Sequence, residues 1–216
     1  MSKSVYSIVL SDDVVAAVDM LAIKLGTNRS NLINQILAER VSVITPERRM
    51  KDIFDSIFSL MDERFIRDVS AAGSALAVRS SIAYKYKPTV RYSVEILRAP
   101  EGEMIGNLRI SFRTRSQAFM DMLAQFYRIW IDIESAYTGR SIQYRAESDK
   151  LIRGIYFPKG RTSAGAQELG ALIGEYIKTF DSAIKIFFSF ADQPELAAVK
   201  VGACYKSSLK NGIADI

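Results

Sequence analysis

The chain has 216 residues, with 29 Lys and Arg against 24 Asp and Glu, a single cysteine and no histidine. Missing histidine excludes Ser-His-Asp and Cys-His catalysis, histidine metal ligation and imidazole acid-base chemistry near neutral pH; the lone Cys204 excludes an internal disulfide and a four-thiolate zinc site. At 49% hydrophobic and 25% charged residues, the composition is that of a chain of one or two domains able to bury a core.

No run of 18 apolar residues occurs, and the start M-S-K-S-V-Y-S has no apolar signal core, so the expectation is a cytoplasmic chain with no membrane partner. The net charge of +5 is unevenly placed: residues 1–50 carry +1 and residues 79–116 carry +5. Such a basic middle points to a polyanion-facing surface or to an ordinary solvated face.

Residues Val5 to Leu10 form a short β-branched and aromatic run, predicted to be one strand. Ser11 followed by Asp12 and Asp13 reads as a helix N-cap with acids in the first turn, where they meet the positive end of the macrodipole. The helix carries Val14, Val18, Leu21, Ala22 and Leu25 on one face, and Gly26 stops it. Asn28 then caps a second helix with the face Leu32, Ile33, Ile36, Leu37 and Val41. One strand and two helices in about forty residues cannot bury their own apolar faces, so this unit calls for a partner chain.

The strand S-I-V-L-S-D-D-V-V at 7–15, the apolar spacing of the first helix and the turn L-G-T-N-R-S-N-L-I at 25–33 together resemble the ribbon-helix-helix family of DNA-binding proteins, the Arc and Met repressor superfamily. The resemblance covers residues 3–43. It implies an intertwined homodimer whose paired strands enter the major groove of double-stranded DNA. With Tyr6, Ile8 and Leu10 toward the dimer core, Val5, Ser7 and Val9 would face the DNA, with Lys3 beside them. The family usually presents Lys, Arg, Gln, Asn or Thr at those three positions. Here two valines offer contact with thymine methyls, and Ser7 and Lys3 the polar readout. Asn28, Arg29, Ser30 and Asn31, at the start of the second helix, would hold a phosphate through backbone N–H groups and the helix dipole. A histidine-liganded nickel-sensing version of this architecture is excluded by composition.

Beyond Pro46, Met50, Ile53, Phe54, Ile57, Leu60 and Met61 fall at helical spacing, predicting a helix that joins two domains or extends the dimer, with a break at Ala71 to Ser74. Three strands are predicted at Leu76–Lys87, Val90–Leu97 and Asn107–Thr114, an antiparallel meander. Their alternation sets Lys85, Lys87, Arg91, Arg109 and Arg113 opposite the apolar positions, with Arg115 at the rim: a possible second nucleic-acid surface, or simply the wet face of a sheet. Helices are predicted at 116–136 and 166–190, with further strands at Ile142–Arg145 and Leu151–Pro158. The loop P-K-G-R-T-S-A-G at 158–165 lacks a Gly-Lys pair and is no Walker loop. Asp132 and Glu134 point to different faces of their helix, so they are no acid-base pair. No catalytic residue, metal or cofactor is expected.

The expected fold class is α+β: a ribbon-helix-helix domain at 1–45 for DNA binding and dimerisation, a connecting helix at 46–74, and at 75–216 an antiparallel sheet packed on long amphipathic helices, serving oligomerisation or effector binding. The expected function is that of a homodimeric, sequence-specific DNA-binding regulator of transcription, with tetramers or higher assemblies left open. The alternative is a non-specific nucleic-acid-binding accessory protein for conjugation, partition or viral genome handling. It would dimerise through the N-terminal unit and bind through the basic sheet.

Overall fold

The structure is a computed structural model that describes residues 5–68, 75–84 and 87–216. Lys3, Lys85, Tyr86 and the expected break at Ala71–Ser74 lie outside the described residues. The chain divides into two compact units, Met1–Arg48 and Arg49–Ile216.

In the first unit, residues 5–10 form no ladder among the described residues and every one of them is exposed. Helix α1 spans Asp12–Lys24. Ser11 occupies its N-cap position, but the hydroxyl makes no capping bond, so the start rests on the Ser11 carbonyl, which accepts from Val15 N–H at 3.0 Å, and on the two first-turn acids. Gly26 ends α1 with φ +63°, a left-handed turn in which Thr27 N–H closes back on the Ala22 carbonyl. Asn28 caps α2 (Arg29–Arg40), its Oδ1 accepting from Asn31 N–H at 2.9 Å. Of the apolar residues on these two helices only Ala22, Leu32 and Ala38 are buried.

The second unit is α+β. Helix α3 (Pro46–Ser59) sends Met50, Ile53, Phe54 and Ile57 into this unit's core, so the segment expected as a connector is largely one of its packed elements. An antiparallel sheet follows, in the order β1-β2-β3-β4-β6-β5: β1 Ile66–Arg67, β2 Ala75–Ser81, β3 Thr89–Glu101, β4 Met104–Phe112, β5 Tyr144–Glu147 and β6 Lys150–Tyr156. Helices α4 (Gln117–Thr138) and α5 (Ala166–Ser189) pack on one face of this sheet, and α6 (Pro194–Ser208) packs on α5 and α4.

Strand β2 is shorter than expected. It stops at Ser81; beyond it Ile82 N–H donates to the Pro88 carbonyl, and Lys87 takes φ +43°. Proline cannot donate to a ladder, which is why pairing with β3 ends there. On β4 the register shifts at Gly106, where a Cβ would lie 2.2 Å from the Glu95 carbonyl oxygen. Only glycine fits so close an approach of two strands.

Alternation along the strands builds the core. Val78, Tyr92, Ile110 and Leu151 form one cross-strand row on the helix side, and Leu76, Val94, Leu108 and Arg153 the next. Against them lie Phe119, Leu123, Phe126 and Trp130 of α4 and Leu169, Ile173, Tyr176, Ile177, Phe180, Ile184 and Phe187 of α5, all buried. Trp130 sits edge-on to Phe180 at 4.8 Å, Tyr205 at 5.3 Å and Tyr176 at 5.8 Å between ring centres. Helix α6, which no periodicity announced, supplies Tyr205, Ala197 and Val201.

Asp62, in the turn after α3, is held to about 2 by side-chain hydrogen bonds from Arg64, with a backbone bond from the same residue. Its folded-state value is depressed, so this contribution is present above the ordinary carboxylate pKa and is lost as pH falls toward 2. Both side chains are about 40% exposed or more, which screens the pair. Asp62→Asn should therefore cost no more than about 1 kcal/mol at neutral pH and only a small part of that at pH 2, as read by urea melts at the two pH values.

Candidate nucleic-acid interfaces

Two surfaces are candidates for polyanion binding. The first is the start of α2. Asn28 is committed to capping, and the Arg29 guanidinium grips the Asp19 carboxylate with two hydrogen bonds, one from Nε to Oδ1 at 2.6 Å and one from Nη2 to Oδ2. That clamp joins α1 to α2, holds Asp19 below the usual carboxylate range and raises Arg29. Its local charge is therefore balanced, which the isolated sequence does not reveal. Arg29 retains N–H donors beyond the two it spends on Asp19. The Arg29 and Ser30 backbone N–H groups belong to the first helical turn, which has no intrahelical acceptors. Ser30 and Asn31 are exposed. Val5 and Val9 are fully exposed, with Ser7 exposed between them.

The second surface is the sheet face opposite the helices. The register brings Arg79, Arg91, Ser111 and Lys150 into one cross-strand row, with Glu147 at its end; Ala77, Ser93, Arg109, Ile152 and Arg145 form the adjacent row. Two shallow grooves run over this face. One, of about 580 Å³, is lined by Ser93, Glu95, Asn107, Arg109, Gln143 and Arg145 among others. The other, of about 1040 Å³, is lined by Asp68, Arg79, Lys87, Arg91, Arg113, Arg115 and Asp149 with their neighbours. Together the linings hold seven cations (Arg79, Lys87, Arg91, Arg109, Arg113, Arg115, Arg145) against three carboxylates (Asp68, Glu95, Asp149).

No protein-family model, no curated protein and no solved structure matches the chain.

Two carboxylates of the open face are each shared between cations. Asp68 lies 3.0 Å from Arg91 Nε and 3.8 Å from Arg79 Nε, and Glu147 lies 2.7 Å from Lys150 Nζ and 3.4 Å from Arg145 Nε. Each is one negative charge between two cations. The Lys150 hydrogen bond is the main reason the Glu147 carboxyl is held low. Arg109, Arg113, Arg115 and Lys87 form no ion pair among the described residues.

Of the surface residues expected from alternation, Arg91 and Arg109 stand on this face as strand residues, Arg113 and Arg115 continue from the end of β4, and Lys87 arrives from the β2–β3 turn rather than from a strand. Lys85 lies outside the described residues. Arg79 and Arg145 were not foreseen. Arg79 alternates with buried Val78 and Ser80 and was legible in the pattern; Arg145 sits on a four-residue edge strand too short to show one. Arg161, in the loop before α5, is paired with Glu168 of the helix's first turn, with Nη2 to Oε2 at 3.1 Å, and this loop is the α5 entry.

The charged residues facing the helices are of a different kind. Glu134 and Arg153 are both fully buried, joined by Arg153 Nε and Nη2 to Oε1 at 2.9 and 2.7 Å. Tyr176, Trp130 and Tyr144 donate to Oε2, and Arg153 also donates to the Gly154 and Ile216 carbonyls. Burial works against the Arg153 charge, but Glu134 more than offsets it and Arg153 is raised; burial first and Glu134 second push both tyrosines up. Four Arg153 hydrogen bonds and the donors of Tyr144, Tyr176 and Trp130 are spent inside the core, which ties α4, α5 and β6 together. Among the described residues no group of His, Cys, Asp and Glu is placed to hold a metal ion, and no helix is long and apolar enough to cross a membrane.

Proposed function

We propose that the chain is a homodimeric DNA-binding protein of ribbon-helix-helix type that regulates transcription by reading a roughly palindromic site. The observation that carries this reading is where the uncovered apolar surface lies. Of the 18 large hydrophobic residues exposed among the described residues, 15 fall between Val5 and Ile44, while the helices of that unit bury only three apolar side chains of their own. A stretch of chain this apolar and this uncovered needs a partner, and a second copy supplies one with the same surface.

The unladdered run at 5–10, just ahead of α1, is placed in sequence to pair with its own copy in an antiparallel ribbon. Period-two alternation then turns Tyr6, Ile8 and Leu10 to one side and Val5, Ser7 and Val9 to the other. The second side would lie in the major groove, valines against thymine methyls and Ser7 on a base edge. The α2 N-terminus would anchor this ribbon on phosphate through Arg29, Ser30 and Asn31. Because Asp19 balances Arg29, that anchor relies on backbone and Arg29 donors more than on net charge.

Selection of bound duplexes from a random library at near-physiological salt should enrich a palindrome. On that duplex Arg29→Ala with Ser30→Ala should weaken binding about tenfold or more, since each dimer loses two sets of phosphate hydrogen bonds. Recovery of no preferred sequence, or an unchanged affinity in the double variant, overturns the reading.

A further inference from the structure

We propose that the open face of the second unit's sheet is a separate binding surface for the phosphate backbone of duplex nucleic acid, blind to base sequence. Its charge excess is built into the sheet: two carboxylates, Asp68 and Glu147, each lie between two cations, and Arg109 and Arg113 add positive charge with no ion pair among the described residues. A backbone is the occupant that fits. Beside Arg109 stands the small, half-buried Ser93 of β3, which leaves room for a rod-like partner to approach. Arg109 and Arg113 are four residues apart on one extended run, roughly 13 Å along it, a spacing suited to successive contacts with one strand.

Bases find little to read here. The Tyr144 hydroxyl is spent on Glu134, and the Tyr156 hydroxyl bonds Gln143 N–H beneath the Arg140 guanidinium, so neither is a free stacking plate for a single strand. An anionic membrane fits less well. A surface that docks on lipid carries apolar side chains to insert, and in this unit the exposed large hydrophobics among the described residues are Ile66, Tyr137 and Val199, of which only Ile66 shares the row of Arg79 and Arg91.

The test uses the full chain and a duplex of arbitrary sequence, with binding read by fluorescence anisotropy as a function of salt. Arg109→Glu with Arg113→Glu should weaken binding at least about tenfold and flatten the plot of log K against log salt by about 2, since each phosphate contact contributes about 0.9 to the slope. Arg109→Lys with Arg113→Lys should bind like wild type, because a backbone is held by charge; thermal melts of both variants report whether the fold persists. Running the same series on an Arg29→Ala, Ser30→Ala background separates this surface from the α2 anchor: the two losses should multiply if the surfaces are distinct. An unchanged slope and affinity in the folded charge-reversed variant overturns the proposal, as does binding to phosphatidylserine vesicles but not to the duplex.

Discussion

Arg153→Ala should destabilise the protein by about 3–5 kcal/mol, because it leaves the Glu134 carboxylate in the core with no cation beside it. Both side chains are essentially inaccessible, and Glu134 is ringed by Arg153, Trp130, Tyr144 and Tyr176. Replacing the pair together, Glu134→Leu with Arg153→Met, should recover most of the loss, because apolar residues of similar volume need no partner. Urea midpoints for the wild type and the two variants check each step. A midpoint for Arg153→Ala close to wild type would show that the ion pair contributes nothing to the fold.

Ile8→Asp should abolish dimerisation. In the proposed ribbon each dimer buries two copies of this side chain, each worth about 1.5–3 kcal/mol. The dimer dissociation constant should then rise by on the order of 100-fold to 10,000-fold. Ile8 is 55% exposed in the single chain, so the substitution does not injure a core that the chain already possesses. Val9→Asp is the control: it stands one position along on the opposite face of a strand and should leave the dimer intact while weakening DNA binding. Sedimentation of the three proteins across a concentration series reads the outcome. If Ile8→Asp and Val9→Asp behave alike, the segment does not pair as a strand, and a wild-type monomer at high concentration removes the dimer altogether.

Elements with a strong period were legible in the sequence. Helix α4 was expected at 116–136 and is found at Gln117–Thr138; α5 was expected at 166–190 and is found at Ala166–Ser189. Wide apolar faces on both left little freedom. Helix α6 was missed because its pattern is weak: Ala197, Val201 and Tyr205 are its only buried side chains, and small residues such as Gly202 and Ala203 blur the spacing. β2 was drawn too long because apolar alternation continues through Tyr84 and Tyr86, whereas the pairing stops where Pro88 forces a turn.

At the candidate interfaces the basic alternation of β3 and β4 was visible, but which carboxylates would share those cations was not. Asp68 and Glu147 reach the face only through β1 and β5, two of the shortest elements of the sheet. Glu134 lies one helical turn beyond Trp130 and two beyond Phe126, on the buried face of α4. That position, together with a lone arginine in the apolar run of β6, was the one sequence signal of a buried ion pair.

A second buried acid, Asp181 on α5, accepts from Tyr92 of β3 at 3.0 Å and from Lys185 at 2.6 Å, and Lys185 reaches Ser80 of β2 at 2.7 Å. Together with the Glu134 cluster it pins the helix layer to the sheet at two separated points. Aliphatic and aromatic contacts alone let a helix slide and repack, but a slip of one turn, about 5.4 Å, would leave both carboxylates stranded without donors. The layers are thus locked in shear, and the arginines on the far side of the sheet are carried on a plate whose spacing does not adapt to what lands on it. Any partner of that face must match the geometry it finds.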